Sequence, residues 1–272
     1  MGLKFSKGRR VSAVLLVLAL ALAPASRAGA ATVQLGDMTW TEVRDALRAG
    51  STTIIIPVGG TEQSGPHMAL GKHNVRVVAL ADRIAGQLGN ALVAPVISYV
   101  PEGQVSPPSG HMRFPGTISV PDDAFAAILT GAARSFRQHG FLDIVLIGDH
   151  GGYQARLQDV ARRLNREWAP SRARVHFVAA YYRAASDGFN QVLRSRGLSD
   201  AQIGVHAGAA DTSLMLAVDP GRVRADRMQP GAEAATGIVG DPSRASAALG
   251  NIGIDMTVEQ TVEAIRQAVR QR

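Results

Sequence analysis

Apolar positions along the chain follow two different periods. Short runs rich in β-branched residues occupy Thr53–Val58, Ala91–Ile97, Asp143–Gly148 and Arg174–Ala180, each closed by Gly, Pro or a charged turn. Continuous apolar runs of this length are what parallel strands buried on both faces require. Between them, Val75–Leu88, Asp122–His139 and Tyr153–Trp168 carry apolar residues at helical spacing. The second of these follows Pro121, starts with Asp122 and Asp123, which suit a helix N-terminus, and closes before Gly140. A last helix is predicted from Thr257, where TVEQ reads as a capping box with Gln260 reaching back. Its Val258, Val262, Ile265 and Val269 form one stripe for the sheet's outer face. The alternation of strand and helix predicts a layered α/β domain. Arg227–Gly253, rich in Gly, Ala, Pro and Ser, reads as a long ordered loop.

Composition changes this picture mainly at the start of the chain. Lys4, Lys7, Arg9 and Arg10 precede the apolar stretch Val11–Pro24 and the small-residue segment ASRAGAA. That layout predicts a cleavable export signal over residues 1–31, a single domain over 32–272, and a periplasmic or secreted location. The Arg9–Arg10 pair leaves the general and the twin-arginine export routes both open. Five of the 29 Lys and Arg lie in the leader and none of the 22 acids do, leaving 24 against 22. A net charge of +2 offers no footing for nucleic acid, and no membrane attachment is expected after cleavage. With no cysteine in the chain, neither disulfides nor thiolate chemistry are available. Roughly 240 mature residues are enough to bury an ordinary core.

Ligands of open α/β sheets bind at the carboxyl ends of the strands, so polar residues just past the apolar runs carry the candidate chemistry. The first run ends in PVGGTEQSGPHMALGKHN, with Glu62, Gln63, Ser64, His67 and His73. The third ends in LIGDHGGY, with Asp149 and His150, and GVHAGAADTSLML places His206 and Asp211 before an apolar helix. Imidazoles and carboxylates together suit zinc, or manganese or iron in the divalent state, and such an ion acidifies bound water. Each residue alone is as readily a loop histidine or a helix cap, so the metal hypothesis rests on the combination.

Several of these segments resemble the creatininase family of metal-dependent amidohydrolases. TEQSGPH looks like the family's Glu-Gln-His-Gly-Pro-His, SGHMRFPGTISV matches Ser-Gly-x-His-x-x-Phe-Pro-Gly-Thr, and GDHGGY is similar to Asn-Gly-His-Gly-Gly-Asn. HAGAADTSLMLAVDP resembles His-Ala-Gly-x-x-Glu-Thr-Ser-x-Met-Leu-Ala, and GIVGDPSRAS a late Gly-x-x-Gly-Asp-Pro loop; the spacing holds from Met38 to Arg270. The resemblance implies a three-layer α/β/α fold with a mostly parallel central sheet, a homo-oligomer of hexameric habit, and a two-metal centre that hydrolyses C–N bonds of small cyclic or linear amides. Position by position, it implies Glu62 and His150 as metal ligands, Asp211 at a glutamate ligand position, and His206 as the group handling a proton at the scissile amide. His67 and His111 also have family counterparts, as ligands or as structural support.

Two positions depart from the family. Ser64 replaces a ligand histidine, and His73 stands where the family has the aspartate that bridges two metals. An imidazole nitrogen offers one lone pair and does not bridge as a carboxylate does. The expectation is therefore a site built from Glu62, His73, His150 and Asp211, holding one or two divalent ions, zinc foremost. The function expected is amide hydrolysis through a metal-activated water; the alternative is a binding protein that kept the pocket and lost the chemistry. Asp149 is expected to cap the helix after it, with orientation of an imidazole as its other reading. Creatinine itself is not the expected substrate, because Trp40, Trp168, Tyr181 and Tyr182 do not assemble recognisably around a planar ring.

Overall fold

A computed structural model describes residues 1–3 and 32–271, so the leader read in residues 1–31 falls, except for its first three residues, outside the described residues. In chain order the elements are α1 (Trp40–Arg48), β1 (Thr53–Val58), α2 (Lys72–Leu88), β2 (Ala91–Val93), α3 (Asp122–His139), β3 (Asp143–Gly148), α4 (Gln154–Glu167) and β4 (Arg174–Phe177). Then follow α5 (Ala179–Arg183), a π turn (Ala184–Gly188), α6 (Phe189–Ser195), α7 (Asp200–Ile203), α8 (Ala209–Val218), α9 (Glu233–Thr236) and α10 (Ala247–Arg270). Thr32–Arg272 forms one compact unit.

The four strands pair in the order β2-β1-β3-β4, all parallel, with Thr53 opposite both Ala91 and Asp143. Alternation along β1 sends Ile54, Ile56 and Val58 to one face, against Phe125 and Leu129 of α3 and Leu157 and Leu164 of α4. Ile55 faces the other way, among Val77 and Ile84 of α2 and Val258, Val262 and Ile265 of α10. All six β1 residues are buried, which explains a run with no polar alternation. Helices on both faces of a parallel sheet make the three-layer α/β/α arrangement.

Several boundaries differ from the sequence reading, each for a physical reason. The second strand stops at Val93, because Pro95 has no N–H for the ladder; Ile97 keeps only an isolated bridge to Val58. The fourth stops at Phe177, and Val178 becomes the N-cap of α5. The last helix starts ten residues before Thr257, at Ala247, where Ser246 Oγ accepts from Leu249 N at 3.2 Å. Thr257 lies inside that helix and its hydroxyl donates to the Gly253 carbonyl, so TVEQ is no cap. Gly250, within the stretch read from sequence as a loop, lies in α10 and lets it meet α8: a Cβ there would collide with the Ser213 carbonyl. Most consequential is α2, which begins at Lys72, three residues ahead of its apolar stripe, so its first turn is Lys72, His73 and Asn74.

Candidate metal centre

The carboxyl ends of β1 and β3 converge under a cavity of about 510 Å³ whose lining includes His73, His111, His150, Tyr182, His206 and Asp211. The loop after β1 supplies Glu62 and Gln63, the first turn of α2 supplies Lys72, His73 and Arg76, and β3 ends directly in Asp149 and His150. His111 comes from the 3-10 turn Gly110–Arg113, and His206 from the segment ahead of α8. That segment is turned inward by Ala207, which holds φ at 56°, a conformation that L side chains adopt at a cost. It is also pinned to the stretch around Val239, where His206 pairs in an antiparallel bridge and Gly204 leaves room for the Val239 carbonyl.

Glu62 is the hub, fully buried, and its two oxygens have different surroundings. Oε1 accepts from His73 Nε2 at 2.7 Å, and the Lys72 ammonium stands 3.6 Å away. Oε2 accepts no hydrogen bond although it is buried. It faces His111 Nε2 at 3.3 Å and His150 Nε2 at 3.4 Å, and the three donor atoms lie within 4.8 Å of one another. A buried carboxylate oxygen without a hydrogen bond is costly, and two imidazoles with one carboxylate form a ligand set well suited to a divalent ion with open positions. The residues therefore fit one metal ion. Burial opposes the negative charge of Glu62, but His73 and Lys72 outweigh it and hold the carboxyl well below the usual range. Burial pushes His150 down to about 4 and lowers His111, leaving both rings neutral near pH 7, as metal ligation requires.

The remaining polar groups are committed to one another. His73 Nδ1 lies 2.6 Å from Asp149 Oδ2 and its Nε2 2.7 Å from Glu62 Oε1, so both ring nitrogens are engaged by carboxylates. Asp149 also accepts from Arg76 and from the Tyr181 hydroxyl at 2.7 Å. Asp211 accepts from Lys72 at 2.9 Å, from Arg76 Nη1 at 3.0 Å and from the Ala207 amide at 3.0 Å. Against the desolvation of burial, the Lys72 and Arg76 cations hold Asp211 well below the carboxylate norm. Of the expected ligands, then, Glu62 and His150 meet at the trio, whereas His73 and Asp211 stand beside it with their donor atoms engaged.

Asp149 corrects a reading from the sequence: helix α4 has no side-chain cap, and this carboxylate is spent on orienting His73 and pairing Arg76. His67 bonds Thr212 Oγ1 and stands outside the trio; Ser64 is fully buried and also outside it. His206 donates from Nε2 to the Gln63 carbonyl at 2.9 Å, leaving Nδ1 directed toward Glu62 Oε1, 3.8 Å away. Burial first, and then the Lys72 charge, press its pKa to about 3. Trp168 is buried in the core and Trp40 is exposed on α1, so of the four aromatics considered it is Tyr182 that lines the cavity.

Glu102 had no signal in the sequence beyond its place in YVPEGQ. Its side chain is fully buried beside the Glu62 carboxylate, and Oε2 lies 3.4 Å from His150 Nδ1. When His150 Nε2 binds an ion, the ring proton sits on Nδ1, and an acceptor there orients the ring. Burial and the charge of Glu62 push the Glu102 carboxyl up to about 9. Between pH 4.5 and 9 the folded protein keeps a proton that the unfolded chain releases, so Glu102 lowers stability as pH rises through that window. In metal-stripped protein, Glu102→Gln is expected to be the more stable protein at pH 8, with the gap closing toward pH 4.5. Thermal unfolding across pH measures it, and a gap that does not vary with pH would reject this account.

Comparison with known proteins agrees with the geometry. Residues 36–265 match the Creatininase family, described as creatinine amidohydrolase. The chain is 28% identical over 258 residues to the creatinine amidohydrolase of Pseudomonas putida, covering 87% of this chain and 97% of that protein. It is 29% identical over 225 residues to the mycofactocin precursor peptide peptidase of Mycolicibacterium smegmatis, covering 72% and 77% respectively. A solved glutamate-to-glutamine variant of creatininase, of Zn-Zn type, superposes with a TM-score of 0.73 at 28% identity, over 88% of this chain and 99% of that one. The sheet order, the placement of Glu62 and His150 at the strand ends and a match spanning nearly all of 32–272 lead to one statement: this chain belongs to the creatininase family.

Proposed function

We propose that the chain is an exported metal-dependent amidohydrolase that cleaves a C–N bond, in a linear or cyclic amide, of a small molecule. The observation that carries this reading is the convergence of Glu62 Oε2, His111 Nε2 and His150 Nε2 on one point beneath an open cavity. A divalent ion held there, zinc foremost, supplies Lewis-acid polarisation of the amide carbonyl and a water acidified toward neutral pH. The chain's own residues supply the rest. Neutral His206, with Nδ1 unprotonated and open to the cavity, accepts a proton and delivers it to the departing nitrogen. His73, clamped between Glu62 and Asp149, fixes the carboxylate that faces the two imidazoles. Names of relatives support amide chemistry of both kinds, since one acts on creatinine and another on a peptide. Export rests on the leader pattern of residues 1–31, and a hexameric assembly on the family resemblance alone.

Elemental analysis of protein purified without an affinity metal, followed by assay on a panel of small amides, tests the reading. Stoichiometric metal is expected, with hydrolysis lost in chelator and regained on adding zinc. The His206→Ala protein is expected to keep its ion and lose turnover by roughly 10²–10⁴-fold. Undiminished hydrolysis in a metal-free preparation would end the proposal. A second reading, a binding protein without turnover, draws on the engaged donors of His73 and Asp211; ligand binding with no turnover in any divalent metal would favour it.

A further inference from the structure

Around Glu62 the structure offers two cation positions, and they are not alike. On the Oε2 side stand two neutral imidazoles and no cation. On the Oε1 side, the Lys72 ammonium is wholly shielded from solvent, 3.6 Å from Glu62 Oε1 and 2.9 Å from Asp211 Oδ2. His206 Nδ1 closes the same side at 3.8 Å from Oε1. Glu62 Oε1 and Asp211 Oδ2 are oxygens of the kind that hold a divalent ion, and here both flank an ammonium.

Secondary structure sets this arrangement. Because α2 starts at Lys72, the Lys72 and Arg76 side chains lie one turn apart on the same face, and both reach Asp211 at the start of α8. Arg76 takes the other Asp211 oxygen and bridges to Asp149, whose second partner is His73. Hence Asp149 and Asp211 are both already paired with the fixed positive charge of Arg76. A second divalent ion would have to displace the ammonium and break its contact with Asp211, while standing against the like charge of the Arg76 guanidinium on the other Asp211 oxygen.

Resting on the metal reading above, we propose that Lys72 is a tethered cation in the position a second metal ion would take. The centre then holds one exchangeable divalent ion, at Glu62, His111 and His150, and one covalently fixed positive charge between Glu62 and Asp211. A residue replaces an ion here without leaving Glu62 unneutralised, which reconciles the imidazole at position 73 with a working site: no bridging ligand is needed where only one metal binds.

Counting manganese distinguishes the alternatives without any assay of turnover. Metal-stripped full chain titrated with Mn²⁺ is expected to take up one ion per chain, with the six-line paramagnetic resonance spectrum of an isolated ion that stays uncoupled at excess metal. Two ions per chain with an exchange-coupled spectrum would overturn the tethered-cation assignment while leaving the metal-dependent reading intact. No bound manganese or zinc at all would remove both. In the Lys72→Ala protein the ammonium no longer stands between Glu62 Oε1 and Asp211 Oδ2, and uptake is expected to rise from one ion to two. A folded Lys72→Ala protein that still takes one ion would show that Lys72 is not what excludes the second. If that variant does not fold, the count and spectrum of the unaltered chain decide the matter.

Discussion

His150→Ala protein is expected to retain no stoichiometric divalent ion and to hydrolyse amides roughly 1000-fold or more slowly than the unaltered chain. His150 supplies one of only three donors in the trio, while of the other expected ligands His73 is engaged by Glu62 and Asp149, and Asp211 is held by Lys72 and Arg76. Loss of one of three ligands leaves Glu62 and His111, a pair that does not hold an ion against buffer. The fold should survive, because His150 lies at the cavity wall with 18% of its side chain exposed and packs little of the core. Metal content and a melting curve on the same preparation provide the check. Full retention of metal in a folded variant would mean that the ion sits elsewhere and that the trio is an accident of packing.

The second large effect is on stability. Arg76 is buried, 2.7 Å from Asp149 Oδ2 and 3.0 Å from Asp211 Oδ1, and its removal strands two carboxylates beneath the cavity. Breaking a buried pair by deleting one partner costs about 3–5 kcal/mol, since the charge left behind has neither water nor counterion. For a domain of this size Arg76→Met should therefore lower Tm by about 10 °C. The exposed pair Arg83–Asp255, at a similar 2.8 Å, is the natural control; Arg83→Met should change stability by less than about 1 kcal/mol because solvent screens it. Both acids partnered by Arg76 are held below their usual range, so the stabilisation they share is present above the unfolded carboxylate pKa near 4 and fades as pH falls through it. The deficit of Arg76→Met should accordingly shrink in acid. Equal melting temperatures for the two variants would refute the ionic network as a source of stability.

Much of the fold was readable from local pattern. Thr53–Val58 and Asp143–Gly148 were legible as strands because burial on both faces forces an unbroken apolar run, and Asp122–His139 because its caps and stripe agree. The start of α2 was not legible, because Lys72, His73 and Arg76 are polar residues buried only by virtue of the acids they meet, and hydrophobic periodicity carries no record of such partners. The same gap hid Glu102, a buried carboxyl with no motif around it, and misplaced the beginning of α10, whose glycines serve close contact with α8 rather than a turn. His111 was visible in SGHMRFPGT as a histidine with a family counterpart, but its role as a partner of Glu62 emerged only when the Gly110–Arg113 turn was placed over the strand ends.

By itself, then, the amino-acid sequence determined the layered α/β architecture, the family, and the set of polar residues gathered at the strand ends, since each of these follows from short-range periodicity or from ordered motifs. Which of those residues have free donor atoms was decided by tertiary structure alone. A lone pair on His73 or Asp211 is available or not according to what Glu62, Lys72, Arg76 and Asp149 bring to it across as many as 139 positions of chain, and that competition exists only once the helices have packed.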